Sequence, residues 1–278
     1  MQNRQHNANI RLLACLVDED DTEDSDYRFL VDGKYVKYVT TAPGAFLGAE
    51  EDRTFEPILL ELLPSFPTGD WNKGHVARDP VIGKPIFVKT ETVKFPQVSD
   101  CWHPAKFNEL EFTEKARLKQ RVRVSTHPAI NDGKPVVVKV AVWPWEISYA
   151  GTETVAYERI KDRQIGPKFL GHITEGKDGR VIGLVTEWID GARIAEPSDI
   201  RGCQNALGNL HQLGIKMGDI NKHNFLVRDR NNVVLVDFET AELKPSALEL
   251  EEEMNALKTS LEDASGRGKA AMVEVKIS

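Results

Sequence analysis

The sequence predicts an α+β fold, on three observations. The first hundred residues read as short strands broken by turns; a second run of strand patterns surrounds a single helical segment; and helical periodicity then gathers in the later part of the chain. Sheet and later helices segregate along the sequence, which points to α+β rather than to a doubly wound parallel sheet. With 278 residues, 41% of them hydrophobic and 28% charged, the chain can bury a sizeable core and has the composition of a globular protein. A soft boundary near residue 100 divides a β-rich N-terminal extension, 1–100, from a second domain, 101–278.

Each element has its own local reason. Tyr27 to Val31 and Tyr35 to Thr40 flank Asp32-Gly33, a pair that favours a tight hairpin. The β character is expected to continue through Pro57 to Leu63, a loop from Pro64 to Lys73, and the alternating segment Pro85 to Val93. Arg121 to Ser125 and Pro135 to Val142 are strand-like around the turn signal Asn131-Asp132-Gly133, which predicts an antiparallel pair. Thr152 to Ile160 reads as a helix and Val181 to Ile189 as a strand. Ile200, Cys203, Leu207, Leu210 and Leu213 mark one helical face that ends at Gly214. The pattern Ser246-x-x-Glu249 after Pro245 is a capping box and predicts a last helix.

Bulk properties narrow the partners. A formal net charge of -7 offers no general attraction to nucleic acid or to an anionic membrane surface. The basic run Lys115 to Arg123 reads as a solvated face and receives no function of its own. Cys15, Cys101 and Cys203 form no CxxC spacing, so neither a disulfide framework nor a zinc site is expected, and an intracellular setting, cytoplasmic or nuclear, fits. No stretch approaches the roughly 20 apolar residues that span a bilayer. The seven histidines show no metal-binding spacing, and His211 and His223 read as structural or solvent-facing.

The chemistry concentrates in Met217 to Asp237, MGDINKHNFLVRDRNNVVLVD. Asp219 and Asn224 precede a strand, a polar turn and a second strand that ends at Asp237. In an antiparallel hairpin the start of one strand lies beside the end of the other, so Asn224 and Asp237 should meet at the open end. One amide and one carboxylate oxygen, completed by water and phosphates, are donors that Mg²⁺ accepts. Upstream, Lys139 interrupts the apolar run Val136 to Val142, where an ammonium is costly without a partner. Taken alone, a strand lysine is more often an edge charge. Of the two helix carboxylates nearby, Glu153 shares a stripe with Ala156, Tyr157 and Ile160, whereas Glu158 points elsewhere; a solvated first-turn acid is the other reading of Glu153.

These residues resemble the protein-kinase superfamily, whose catalytic-loop pattern D-L-x-x-x-N is matched by Asp219-Ile-Asn-Lys-His-Asn224 and whose metal-binding Asp-Phe is matched by Asp237-Phe238. The resemblance covers roughly residues 105–260 and is also similar to small atypical kinase-like proteins of fungi, some of which carry an N-terminal Gly-Asp-Trp-Asn stretch, here Gly69 to Asn72. It implies a bilobal protein-kinase-like fold with N-lobe about 101–187 and a shortened C-lobe about 190–278. It implies ATP and Mg²⁺ as cofactors, with Asp219 orienting the acceptor hydroxyl and Asn224 and Asp237 holding the metal. It also implies Lys139 on the phosphates with Glu153 as its partner, and Thr186, Glu187 and Ile189 around the adenine.

The chain departs from the pattern in several places. No G-x-G-x-x-G precedes Lys139, Met217-Gly218 stands before Asp219, and Glu239 follows Phe238 where the family has glycine. Asn221 stands where many relatives place a phosphate-contacting lysine, a task open to the adjacent Lys222. The expectation is an ATP- and Mg-dependent phosphotransferase acting on itself, a dedicated protein partner or a small molecule. The alternative is a catalytically inactive pseudokinase that binds nucleotide or another protein.

Overall fold

In the computed structural model, which describes residues 6–48, 50–229 and 232–269, Asp32 and Gly33 both have positive φ, 55° and 65°. Lys34 N–H closes the turn on the Val31 carbonyl at 3.1 Å. Two consecutive residues of this hand match the right-handed twist of the flanking strands, which is why Asp-Gly makes a hairpin here. The chain divides into two compact units, Met1–Phe95 and Pro96–Ser278; the boundary expected near residue 100 lies just inside the second.

The N-terminal unit is a five-stranded sheet in sequential order: β1 (Ile10–Leu16), β2 (Ser25–Val31), β3 (Tyr35–Thr41), β4 (Lys73–Arg78) and β5 (Pro85–Glu91). All neighbours are antiparallel except β3 and β4. A parallel pair needs a crossover, and it contains two short helices, α1 (Glu50–Thr54) and α2 (Glu56–Leu62). This corrects the strand reading of Pro57 to Leu63. Pro57 sits at the start of the helix, where its missing N–H costs nothing, and Leu59 turns fully inward. Tyr27, Phe29, Val39, Leu59 and Val76 form the core with Trp71. The Gly69 to Asn72 stretch is part of this scaffold. Asn72 pairs both ways with Val93, at 2.8 Å each, and Lys37 lies 3.9 Å from the centre of the Trp71 ring.

The second unit opens with β6 (Lys106–Asn108), β7 (Thr113–Lys119), β8 (Val122–Thr126), β9 (Val136–Val140), α3 (Ile147–Ile160), β10 (Phe169–Thr174) and β11 (Val181–Glu187). The strands form one sheet in the order β6-β10-β11-β9-β8-β7, with β9 in the interior. Helix α3 begins earlier than the Thr152 that periodicity indicates. Glu146 accounts for it: its carboxylate accepts the Val142 and Trp143 N–H groups at 3.0 and 3.1 Å, which turns the chain into the helix.

Then follow β12 (Arg193–Ile194), α4 (Ile200–His211), β13 (Ile215–Lys216), β14 (Phe225–Asp229), β15 (Asn232–Leu235), β16 (Glu242–Leu243) and α5 (Ala247–Glu262). Strands β14 and β15 are the expected hairpin, paired from Phe225↔Leu235; its turn residues 230 and 231 lie outside the described residues. Ser246 and Glu249 cap α5 reciprocally. Tyr157, Phe169, Leu184, Leu207, Leu210, Phe225, Leu235, Phe238 and Leu257 share one apolar core, which packs α3, α4 and α5 around the hairpin. No helix among the described residues is long and apolar enough to cross a membrane. The three cysteines are free thiols.

Candidate functional site

Strand β9 alternates, with Val136, Val138 and Val140 on its buried face and Val137 and Lys139 on the other. That other face is nearly as dry: the Lys139 side chain is 11% exposed and Glu153, facing it from α3, only 3%. The Lys139 ammonium lies 2.7 Å from Glu153, 2.6 Å from Asp237 and 3.2 Å from Glu239. Glu153 shares its buried stripe with Ala156, Tyr157 and Ile160, and Glu158 makes no ion pair with Lys139 among the described residues. Burial by itself would push the Lys139 ammonium down, but the three carboxylates override it and hold its pKa above the ordinary lysine value. Burial raises Glu153, Lys139 opposes that rise, and Asp237 and Glu239 add to it. Asp237 goes the other way: Lys139 and Lys119 outweigh its burial and lower it.

The loop before β14 is built with little freedom. Gly218 has φ +82°, and a Cβ there would meet the Thr240 carbonyl at 2.4 Å, so only glycine fits without a shift. Buried Glu253 of α5 accepts the Met217 and Gly218 N–H groups at 3.0 and 2.6 Å and lies 2.7 Å from His211. Asp219 follows directly. Asn221 donates to its carboxylate at 2.8 Å, and the buried Asn224 amide donates to its carbonyl at 2.9 Å. Val236 N–H bonds the Asn224 carbonyl at 3.0 Å, so Asn224 and Asp237 do meet at the open end of the hairpin. Asp237 itself has φ 68°, a costly backbone state for a non-glycine residue that only surrounding contacts sustain. Those contacts are Lys139 on one carboxylate oxygen and Lys119, at 3.4 Å, on the other.

Lys139, Glu153, Thr186, Glu187, Ile189, Asn224 and Asp237 line one pocket of about 300 Å³, at the small end of the range for ligand sites. Asp219 is not on its wall and joins it through Asn224. Val122, Val137, Leu184, Ile189 and Leu226 give the pocket apolar lining, and Lys119, Lys139, Glu153, Glu187 and Asp237 give it charge. Lys222 points away, donating to the Asp263 carbonyl. Arg267 contacts Asp219 at 3.0 Å, but with a 69% exposed side chain; pairs of this kind contribute ~0–1 kcal/mol, too little to hold the loop closed against a ligand.

The site also contains residues that sequence reasoning passed over. Lys119 and Arg121, from the basic run read as a solvated face, both reach it. Arg121 bridges Glu239 at 2.8 Å and Glu146 at 3.2 Å. Glu239, seen before only as a missing glycine, is the counter-charge that holds Arg121. Glu253 had no local signal at all. Three spaced carboxylates, Glu153, Asp237 and Glu239, are close enough to share a cation, but Lys139 already occupies their centre. No protein-family model matches the chain, and no curated protein matches its sequence.

Proposed function

We propose that residues 96–278 form a protein-kinase-like, ATP- and Mg²⁺-dependent phosphotransferase acting on itself, a dedicated protein partner or a small molecule. The observation that carries this reading is the Lys139 ammonium, held between Glu153 at 2.7 Å and Asp237 at 2.6 Å beside an apolar pocket. A flat heterocycle suits the apolar lining, with Thr186, Glu187 and Ile189 around it, and an anionic tail suits Lys139. Asn224 and Asp237 both line the pocket and carry hard oxygen donors of the kind Mg²⁺ takes. Bound there, the ion would neutralise charge on the phosphates. Lys139, kept protonated by its three carboxylates, serves as a fixed positive charge for the tail. Asp219, anchored through Asn221 and Asn224, would orient the acceptor hydroxyl.

A second reading, a catalytically inactive nucleotide-binding or protein-interaction module, draws on the turn Gln120-Arg121, which has no glycine to let backbone close on a phosphate. Calorimetric titration with ATP, with and without Mg²⁺, beside a turnover assay on the same preparations separates the two. Asp219→Asn should keep Mg²⁺-ATP affinity within about twofold while turnover falls by two orders of magnitude or more. Asp237→Asn should instead weaken the Mg²⁺-dependent part of the affinity, because a neutral amide is a poorer ligand for a hard cation. Equal binding with and without metal, with turnover that neither substitution alters, would sink the assignment. Binding with no turnover in the unaltered protein favours the second reading.

A further inference from the structure

We infer that Lys119 grips the phosphate end of the ligand by its side chain, doing at the tip of the β7–β8 hairpin what a glycine-rich backbone does in other nucleotide sites; this rests on the nucleotide reading above. Backbone can approach a phosphate closely only where side chains are out of the way. The two-residue turn here is Gln120-Arg121, with no glycine, so contact from this hairpin must come from a side chain. Leu118, Lys119 and Val122 on either side of that turn all line the pocket, which places the hairpin over it.

The cations at the site differ in how fully they are compensated. Lys139 has three carboxylates within 3.2 Å. Arg121 has two and is 24% exposed, so its role is to tie the hairpin tip down through Glu239 and Glu146. Among the described residues, Lys119 touches a single carboxylate oxygen, at 3.4 Å, and its side chain is 37% exposed. That oxygen belongs to Asp237, the residue assigned to the metal. A cation bound by Asp237 would compete with Lys119 for the same carboxylate and release the ammonium toward the phosphates beside it. Lys119 and Lys139 sit on opposite oxygens of Asp237, so an anionic tail held there is flanked by two ammonium groups.

The test compares Mg²⁺-ATP with adenosine, which shares the heterocycle and lacks the charge, by calorimetric titration of the full chain. In Lys119→Met, ATP affinity should fall about tenfold, the loss expected of one charge-assisted hydrogen bond, while adenosine affinity stays within twofold. Lys119→Arg should recover most of the loss. Lys119→Gln is the second variant if the first is poorly folded. If the unaltered protein prefers ATP to adenosine and the substitutions leave that ratio unchanged, or weaken both ligands alike, the role of Lys119 is overturned while the nucleotide reading stands. If the unaltered protein binds neither ligand, both fall together.

Discussion

Lys139 shows how far a single residue can be read. Its place in a valine run signals a buried charge that needs a partner, and helix phase selects Glu153 over Glu158 because only one face of α3 turns inward. Neither signal reveals that Asp237 and Glu239 approach the same ammonium. Removing one member of a buried ion pair leaves an uncompensated charge, at a cost of about 3–5 kcal/mol. Lys139→Met should therefore destabilise the protein by about 3 kcal/mol at pH 8. The cost should shrink toward pH 5. Glu153 already has a raised pKa from burial and from its carboxylate neighbours, and it loses Lys139, whose charge opposes the rise. A folded pKa above the unfolded value means that the folded state holds the proton longer, so the variant gains relative stability as pH falls. Denaturant unfolding at the two pH values checks this; a penalty independent of pH would mean that Glu153 does not take up the proton.

At the scale of elements, the hairpin β14–β15 and the helix stripes follow from local pattern, whereas the support of the Asp219 loop does not. Glu253 lies 34 residues after Asp219 on a helix whose first turn is read from a capping box. Its burial against Met217 and Gly218 depends on how α5 packs over α4. Glu253→Ala strands two N–H donors, each costing about 1–3 kcal/mol when left unpaired, so a loss of about 3 kcal/mol is expected by chemical denaturation. Glu253→Gln keeps an acceptor and should recover part of it. A loss under about 0.5 kcal/mol, as for an ordinary surface change, would show that this carboxylate does not support the loop.

For the whole molecule, each unit has its own apolar core, one around Tyr27, Phe29 and Trp71, the other around Phe169, Leu207 and Phe238. Every residue of the candidate site belongs to the second. A chain of residues 96–278 should therefore fold and bind Mg²⁺-ATP within about threefold of the full chain, which circular dichroism and calorimetric titration would show. A fragment that folds but no longer binds would mean that the N-terminal unit contributes to the site.

What is local was legible in the residues: the Asp32-Gly33 hairpin, the period of β9 and α3, the cap of α5, and the closeness of Asn224 to Asp237 along a hairpin. The sequence also marks Lys139 as a charge that needs a partner and Glu153 as the inward-facing acid of its helix, whereas the roles of Asp219 and Thr186 come from the resemblance to kinases and not from local pattern. Only the packing of distant segments brings Lys119 to the pocket and Arg121 to Glu239 and Glu146, and sets Glu253 under the Asp219 loop. Periodicity records which face of an element is buried. It does not record which distant charges meet there, and a basic run on an edge hairpin has the same pattern whether it lies over solvent or over carboxylates drawn from elements more than a hundred residues away.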